Sequence, residues 1–434
     1  MLTDTATGPA GSQAVRETNL GAVLRAVREA APCSRADVAA TTGLTKATVS
    51  SIVGDLIAHG LVREVGAASE RRVGRPGVML TLDGRGITAV GLEVNVDYIT
   101  VVAVDLVEQE LLSRHEPFAA GAAGPEACAR ELVDLLRRTL ADPVLAGRTV
   151  LGAGVAVPGL IDAPRGTVAN APNLRWRDFP LRARMLELME EAGLPEMPVL
   201  VDNDANLGAV AEYRGGHRAH TCDLVYITGE VGIGAGVLLD GRLLRGSTGY
   251  GGEIGHIPLR RGGPLCGCGR RGCLEAVAGI DAILRRTVPD LAPTAPVSGT
   301  HLAAAVAATV ERADAGDVGV LRALERAGSW LGRGAATLVN LINPQAIILG
   351  GYFVPLAPWL LPPCTAAVDA HVLAPERGGC RLEVSTLGLS AAARGGAAAL
   401  VDALDTGRLP LPPRRPLERP RQEGARPNGR SPAR

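Results

Sequence analysis

Aromatic side chains are scarce, at 3% of 434 residues, so the core has to come from the small and aliphatic residues that carry the hydrophobic share to 47%. Net charge is missing too, since 45 basic residues balance 45 acidic ones, and lysine occurs once, at position 46. Such a chain has no global field to draw it toward nucleic acid or an anionic membrane, and attraction of that kind must be local. No apolar run approaches 18 residues, and the first thirty residues lack a basic start followed by an apolar stretch. Neither a membrane span nor a secretory signal is expected, and a cytoplasmic protein is. Eight cysteines are few for this length, and a disulfide framework is disfavoured in such a compartment. Cys33, Cys128, Cys222, Cys364 and Cys380 are scattered among apolar neighbours in the manner of buried thiols.

The length suggests two or three domains. Residues 1–18 have no apolar period and read as a disordered leader, and residues 405–434, rich in Pro and Arg, as a disordered tail. Residues 19–86 form a compact unit. Its first helix carries a stripe at Leu20, Val23, Leu24 and Val27, and Pro32 stops it. Ser34 with Asp37 offers a capping-box start for a second helix, which Gly43 closes, and Thr45 caps a third with Val49, Ile52, Val53, Leu56 and Ile57 facing inward. Two strands follow, around "LVREV" and "GVMLTL", and the loop between them carries Arg71, Arg72 and Arg75. The pattern is a winged helix-turn-helix. Its DNA-contacting candidates are Arg35, Thr45, Lys46, Thr48 and Ser50, near the start of the recognition helix, together with the three wing arginines.

From Ile87 onward, strands and glycine turns alternate with helices, as in an α/β protein of two lobes around a cleft. The expected small lobe is 87–204, rejoined by a C-terminal helix over 388–404. The large lobe is 205–387, with a cysteine loop and helices available for dimerisation. In "CGCGRRGC", Cys266, Cys268 and Cys273 lie among glycines that let three thiolates converge, and His256 is the nearby fourth donor. Three sulfurs and one imidazole suit a closed, structural zinc site that orients its flanking carboxylates, Glu253 and Glu275, rather than activating water. At "VDNDAN", Asp202, Asn203, Asp204 and Asn206 crowd a strand's C-terminal end, where open α/β sheets bind ligands. Carboxylates and amides there suit a polyhydroxylated ligand, and a carboxylate can act as a general base.

Together, "VPGLID", "NDAN", "GIGAG", "GEIGH" and "CGCGRRGCLE" resemble the ROK family of repressors and sugar kinases over about Asn19 to Leu404. The resemblance implies a two-lobed actin-like, ribonuclease H-like ATPase fold. It implies that His256 bridges zinc and sugar, that Asn203, Asp204, Glu253 and Glu275 contact the sugar, and that Gly159 and Asn173 are further sugar-side candidates. Asp204 matches the family's catalytic base. The family's first phosphate loop has an aspartate followed by Gly-Gly-Thr, whereas here Glu93 stands for the aspartate and Asn95, Val96 and Asp97 replace the rest. In the second loop Glu230 and Val231 occupy the Gly-Thr positions. Side chains and negative charge thus fill phosphate space, so ATP and magnesium are not expected and Asp204 is left a vestigial base. The expected protein is a sugar-responsive repressor, a homodimer or dimer of dimers on a palindromic operator; the alternative is an ATP-dependent sugar kinase with an appended head.

Overall fold

The computed structural model describes residues 9–66, 78–215, 221–291, 302–374 and 379–414. Three helices, Pro9–Ala30, Arg35–Thr42 and Lys46–Ala58, and a sheet of Cys33–Ser34, Met79–Leu82 and Val62–Val65 form the N-terminal head. The caps follow the side-chain chemistry. The Asp37 backbone N–H donates to Ser34 Oγ while Asp37 accepts from the Ser34 backbone, and Gly43 turns the chain with φ of 71°. Thr45 Oγ1 accepts from the Thr48 N–H to start the recognition helix. The two wing strands pair antiparallel, Val62 opposite Leu82, while Arg71, Arg72 and Arg75 lie outside the described residues.

Both chain ends depart from expectation. The first helix begins at Pro9, inside the segment read as a loose leader. Once Leu20 to Val27 nucleate a helix, each further turn costs little, and Arg16 secures the extension by an ion pair of 2.6 Å to Asp55. Downstream, residues 406–414 are not loose tail either. Leu409 and Leu411 pack against the head's core, Pro412 is buried, and its carbonyl accepts from His59 Nδ1 at 2.5 Å.

The body holds two five-stranded sheets. The first runs in the order Val199–Asn203, Thr149–Val157, Ile87–Val94, Tyr98–Asp105, Glu110–Pro117. The second runs Arg242–Leu243, Ile233–Leu239, Leu224–Gly229, Ala346–Gly351, Arg381–Val384. The helix Asp204–Gly215 leaves the edge of the first sheet and packs on the second, so it joins the lobes. The C-terminal helix Ala391–Asp405 returns to the first sheet and is rich in Ala and Gly because it lies nearly in contact with backbone: a Cβ on Gly91 would sit 1.7 Å from the Ala393 carbonyl oxygen.

Head and body share one core. Val23, Leu24, Val49 and Leu56 of the head belong to the same buried cluster as Ile87, Val102, Val104, Leu400 and Val401 of the body. The first helix also closes on the C-terminal helix, where a Cβ on Gly21 would meet the Asp405 carbonyl oxygen at 2.4 Å. Among the scattered cysteines, Cys33, Cys128 and Cys364 are buried as expected, whereas Cys222 is exposed and Cys380 half-buried. Both correct the expectation, since each sits at the start of a strand on the large lobe's rim, where apolar neighbours in sequence lead inward only afterward. No described helix is long and apolar enough to cross a membrane.

Candidate ligand cleft and metal loop

The strand Val199–Asn203 ends where the helix Asp204–Gly215 begins, which places Asn203 and Asp204 at the mouth between the lobes. Asn203 is fixed from two sides: its Nδ2 donates to the Gly159 carbonyl at 3.0 Å, and its Oδ1 accepts from the Asn206 N–H at 3.0 Å. Gly159 is thereby tied to Asn203 through its backbone, and its φ of 106° is a conformation that only glycine adopts freely. Asp204 accepts from the Ala205 N–H at 2.8 Å; burial, and then the charge of Glu253, push its carboxyl up to about 6. Asp202 is held by Arg245 in a bidentate pair of 3.0 and 2.5 Å, which ties the end of this strand to the loop leading to Glu253. Arg245 escaped the sequence reading because one arginine in a glycine-rich loop has no spacing signal.

On the opposite wall, one ligand atom each of His256, Cys266, Cys268 and Cys273 lie within 4.8 Å of one another. His256 Nδ1 is 3.7 Å from Cys266 Sγ, and its Nε2 is 3.8 Å from a Glu253 oxygen, so one ring nitrogen faces the thiols and the other the cleft. The loop is closed by the Cys266 N–H donating to the Arg270 carbonyl at 2.8 Å and by short bridges Pro258↔Cys273 and Leu265↔Arg271. Burial raises the Cys266 and Cys273 thiols, whereas at Cys268 hydrogen bonds from Arg270 and the neighbouring thiols outweigh it and bring that thiol down to about 6. Three sulfurs and an imidazole in tetrahedral reach fit zinc, and they leave no position for substrate.

Glu275 opens the short helix Leu274–Ala278 that follows the last cysteine. One of its oxygens accepts from the Cys266 thiol at 3.4 Å and the other from the Ile233 N–H at 3.2 Å. A Cβ on Gly232 would lie 2.3 Å from that second oxygen and 3.8 Å from Asn173 Nδ2. Gly232 therefore allows Glu275 and Asn173 to approach each other, and the glycine loop does so independently of any phosphate. Asn203 is thus brought to Gly159, Asp204 and His256 near Glu253, and Asn173 near Glu275.

A buried group of acids surrounds Tyr98. Tyr98 is buried, and its hydroxyl lies 2.9 Å from Glu93 Oε1, 3.0 Å from Glu230 Oε2 and 3.0 Å from the donating Asn95 Nδ2. A phenol has one proton, so it donates to one carboxylate and must receive a proton from the other. Burial raises both acids, Glu93 to about 8 with the charge of Asp204 adding to it, and Glu230 well above its ordinary value with the charges of Glu93 and Asp204 adding to it. Asp97, beside them, is lifted to about 6 by burial. Tyr98 is the residue sequence reading missed; its one signal was an aromatic ring immediately after three replaced loop positions.

In the head, Lys46 and Ser50 are exposed, as DNA contacts require. Thr45 and Thr48 are engaged in the helix cap, with their hydroxyls 2.8 Å apart, and Arg35 pairs with Glu64 of the wing strand at 2.7 Å.

With this geometry in place, likenesses to known proteins become informative. The model described as ROK family matches residues 89–403, and that described as MarR family matches residues 21–72. The chain is 31% identical over 388 residues to the xylose repressor of Bacillus subtilis, covering 89% of this chain and 96% of that protein. Its structure resembles a ROK family transcriptional regulator, a homologue of the Escherichia coli MLC protein, with a TM-score of 0.74 at 26% identity, over 91% of this chain and 98% of that one. It also resembles a ROK family glucokinase from Streptomyces griseus, solved with glucose and AMPPNP, with a TM-score of 0.59 at 28% identity, over 72% and 98% of the two chains.

Proposed function

Because the chain belongs to the ROK family, we propose that it is a sugar-responsive transcriptional repressor in which a winged helix binds operator DNA and the two-lobed body reads a sugar. The observation that carries this reading is the shared core: the DNA-binding head is continuous with the lobe that ends in Asn203 and Asp204. A sugar acts here only through unequal affinity for DNA-competent and incompetent forms, a coupling of roughly 1–3 kcal/mol. The sugar contacts are Asn203, Asp204, Glu253, His256, Glu275, Gly159 and Asn173. Zinc, held by His256, Cys266, Cys268 and Cys273, stiffens the wall that presents Glu253 and Glu275. The protein acts in the cytoplasm as a homodimer or dimer of dimers, pairing through large-lobe helices, on a palindromic operator whose two-fold symmetry matches its own.

Phosphoryl transfer is not part of this function. The Tyr98 hydroxyl joins Glu93 to Glu230 beside the replaced loop positions, and these side chains fill space that ATP would need. The alternative, a sugar kinase with a head, draws on Asp204 and on the likeness to the glucokinase. The test is a thermal-shift screen of sugars, with ATP as a separate ligand, followed by measurement of duplex binding with and without the best sugar. A sugar that stabilises the protein and changes the affinity for a selected duplex supports the repressor; ATP-dependent phosphorylation of that sugar, lost in Asp204→Asn, supports the kinase.

A further inference from the structure

At the mouth between the lobes like charges act on one another: beyond burial, the charge of Glu253 bears on Asp204, and that of Glu275 on Glu253. Repulsion favours separation of the elements that carry these acids, and an opposed pair beside them resists it. Arg245 and Asp202 form such a pair. Asp202 lies on Val199–Asn203, the edge strand of the first sheet, and Arg245 lies two residues beyond Arg242–Leu243, the edge strand of the second. The guanidinium meets the carboxylate fork to fork, Nη1 on Oδ1 at 3.0 Å and Nη2 on Oδ2 at 2.5 Å. Two parallel bonds fix orientation as well as distance, which a single contact does not.

Each partner is tied to one side of the cleft. Asp202 is 7% exposed, and among the described residues Arg245 is its one ion-pair partner. Its Oδ1 also accepts from the Asn203 N–H at 2.8 Å, so the carboxylate that takes the arginine fixes the backbone from which Asn203 and Asp204 project. Arg245 in turn anchors the loop that ends at Glu253. The Leu244 N–H donates to the Val237 carbonyl at 2.8 Å, and the Gly251 N–H donates to the Arg245 carbonyl at 2.9 Å. Gly252, with φ of 101°, sits where a Cβ would meet the Ala235 carbonyl oxygen at 2.1 Å. Glu253 is the next residue, with a carboxylate oxygen 3.8 Å from His256 Nε2.

We propose that Arg245 is a positioning residue for the sugar: its fork on Asp202 clasps the two sheets at the cleft and sets the distance from Asn203 and Asp204 to Glu253 and His256. This rests on the sugar-binding reading of the cleft and deepens it, since Arg245 acts through those four residues. An exposed ion pair contributes little by itself. Here the carboxylate is buried and shared with the Asn203 backbone, so loss of the arginine is felt on both sides at once.

The experiment uses the full, zinc-loaded chain with Arg245→Met, Arg245→Lys and Asp202→Asn, the last keeping an acceptor for the Asn203 N–H. Hydrogen exchange over residues 244–256 is followed without sugar, and D-xylose and D-glucose are titrated by calorimetry as one pentose and one hexose. In Arg245→Met, exchange over 244–256 should be faster by roughly 10-fold, with zinc content and exchange in the head unchanged. Affinity for whichever sugar binds should fall by roughly 10-fold, the order of one charge-assisted hydrogen bond. Arg245→Lys should recover part of the loss, because a point charge does not span both oxygens. Asp202→Asn should lose as much as Arg245→Met, and the two together no more than either alone. Unchanged exchange over 244–256 overturns the clasp. Faster exchange with sugar affinity intact overturns it too, because the pair then only stiffens a loop, and so do losses that add in the double variant. If neither sugar binds the unaltered protein, that counts against the sugar-binding reading, while exchange over 244–256 still decides the clasp.

Discussion

Tyr98 ties two buried acids together through one hydroxyl. Its hydroxyl sits between Glu93 and Glu230, and the single phenolic proton obliges one of those acids to stay protonated. Tyr98→Phe leaves three buried polar partners unsatisfied and should lower the unfolding free energy by about 1–3 kcal/mol, as read by urea titration. The pH dependence has a definite sign. Glu93 titrates near 8 in the folded protein and near 4.5 unfolded, so between those values the native state holds the extra proton and stability falls as pH rises. Glu230→Gln removes a second acid that burial raises, and the decline from pH 5 to 8 should become shallower in parallel urea titrations. At the metal loop, Cys268→Ser should release zinc, measured by metal analysis. By loosening His256, the loss should weaken sugar affinity by roughly 10–100-fold while the head stays folded.

Between elements, the coupling of cleft to head has a visible material basis. The helix Asp204–Gly215 starts at the cleft and ends at Arg214, whose guanidinium reaches Glu108 at 2.8 Å and Asp405 at 3.3 Å. Arg28 of the first helix takes the same Asp405 at 2.8 Å and the Leu106 carbonyl at 2.8 Å. Twelve residues and a few nearly buried charges thus separate the Asp204 end of one helix from the head. Arg28→Met leaves Asp405, whose side chain is only 3% exposed, with Arg214 as its remaining partner, and losing the hydrogen bonds to a charged group costs about 1.5–3 kcal/mol. The expected outcome is a lower unfolding temperature with a smaller sugar effect on DNA affinity, compared by calorimetry and anisotropy. Gly21→Ala tests the same junction sterically: the added methyl would press on the Asp405 carbonyl and should cost about 1–3 kcal/mol.

At the scale of the whole molecule, the continuous cluster linking head and small lobe predicts cooperative unfolding of the two, seen in scanning calorimetry as one transition; a separate low-temperature transition for the head would contradict it. This continuity was the least legible part of the chain. Caps, turns and stripes are local, so Ser34, Asp37, Gly43 and Thr45 announced the head directly, and four donors in a tight run announced the metal loop. The cleft residues were visible through motifs. What pairs across hundreds of positions was not: Arg28 with Asp405, Asp202 with Arg245, and Tyr98 with Glu230 depend on chain crossings that no window of sequence contains. The loose leader failed for a related reason, because Arg16 is held by Asp55, a residue on another helix.

The segment from Thr406 to Arg414 gives the protein an order of assembly. The head is synthesised about 320 residues before Asp405, Leu409, Leu411 and Pro412, which seat it. At about 5–20 residues per second, the head must wait roughly 15–65 s for its seat to be synthesised. A nascent repressor is thus kept from its finished, DNA-competent arrangement until nearly the whole sensor has been made, and a chain that stops short of Asp405 carries a head with nothing to report.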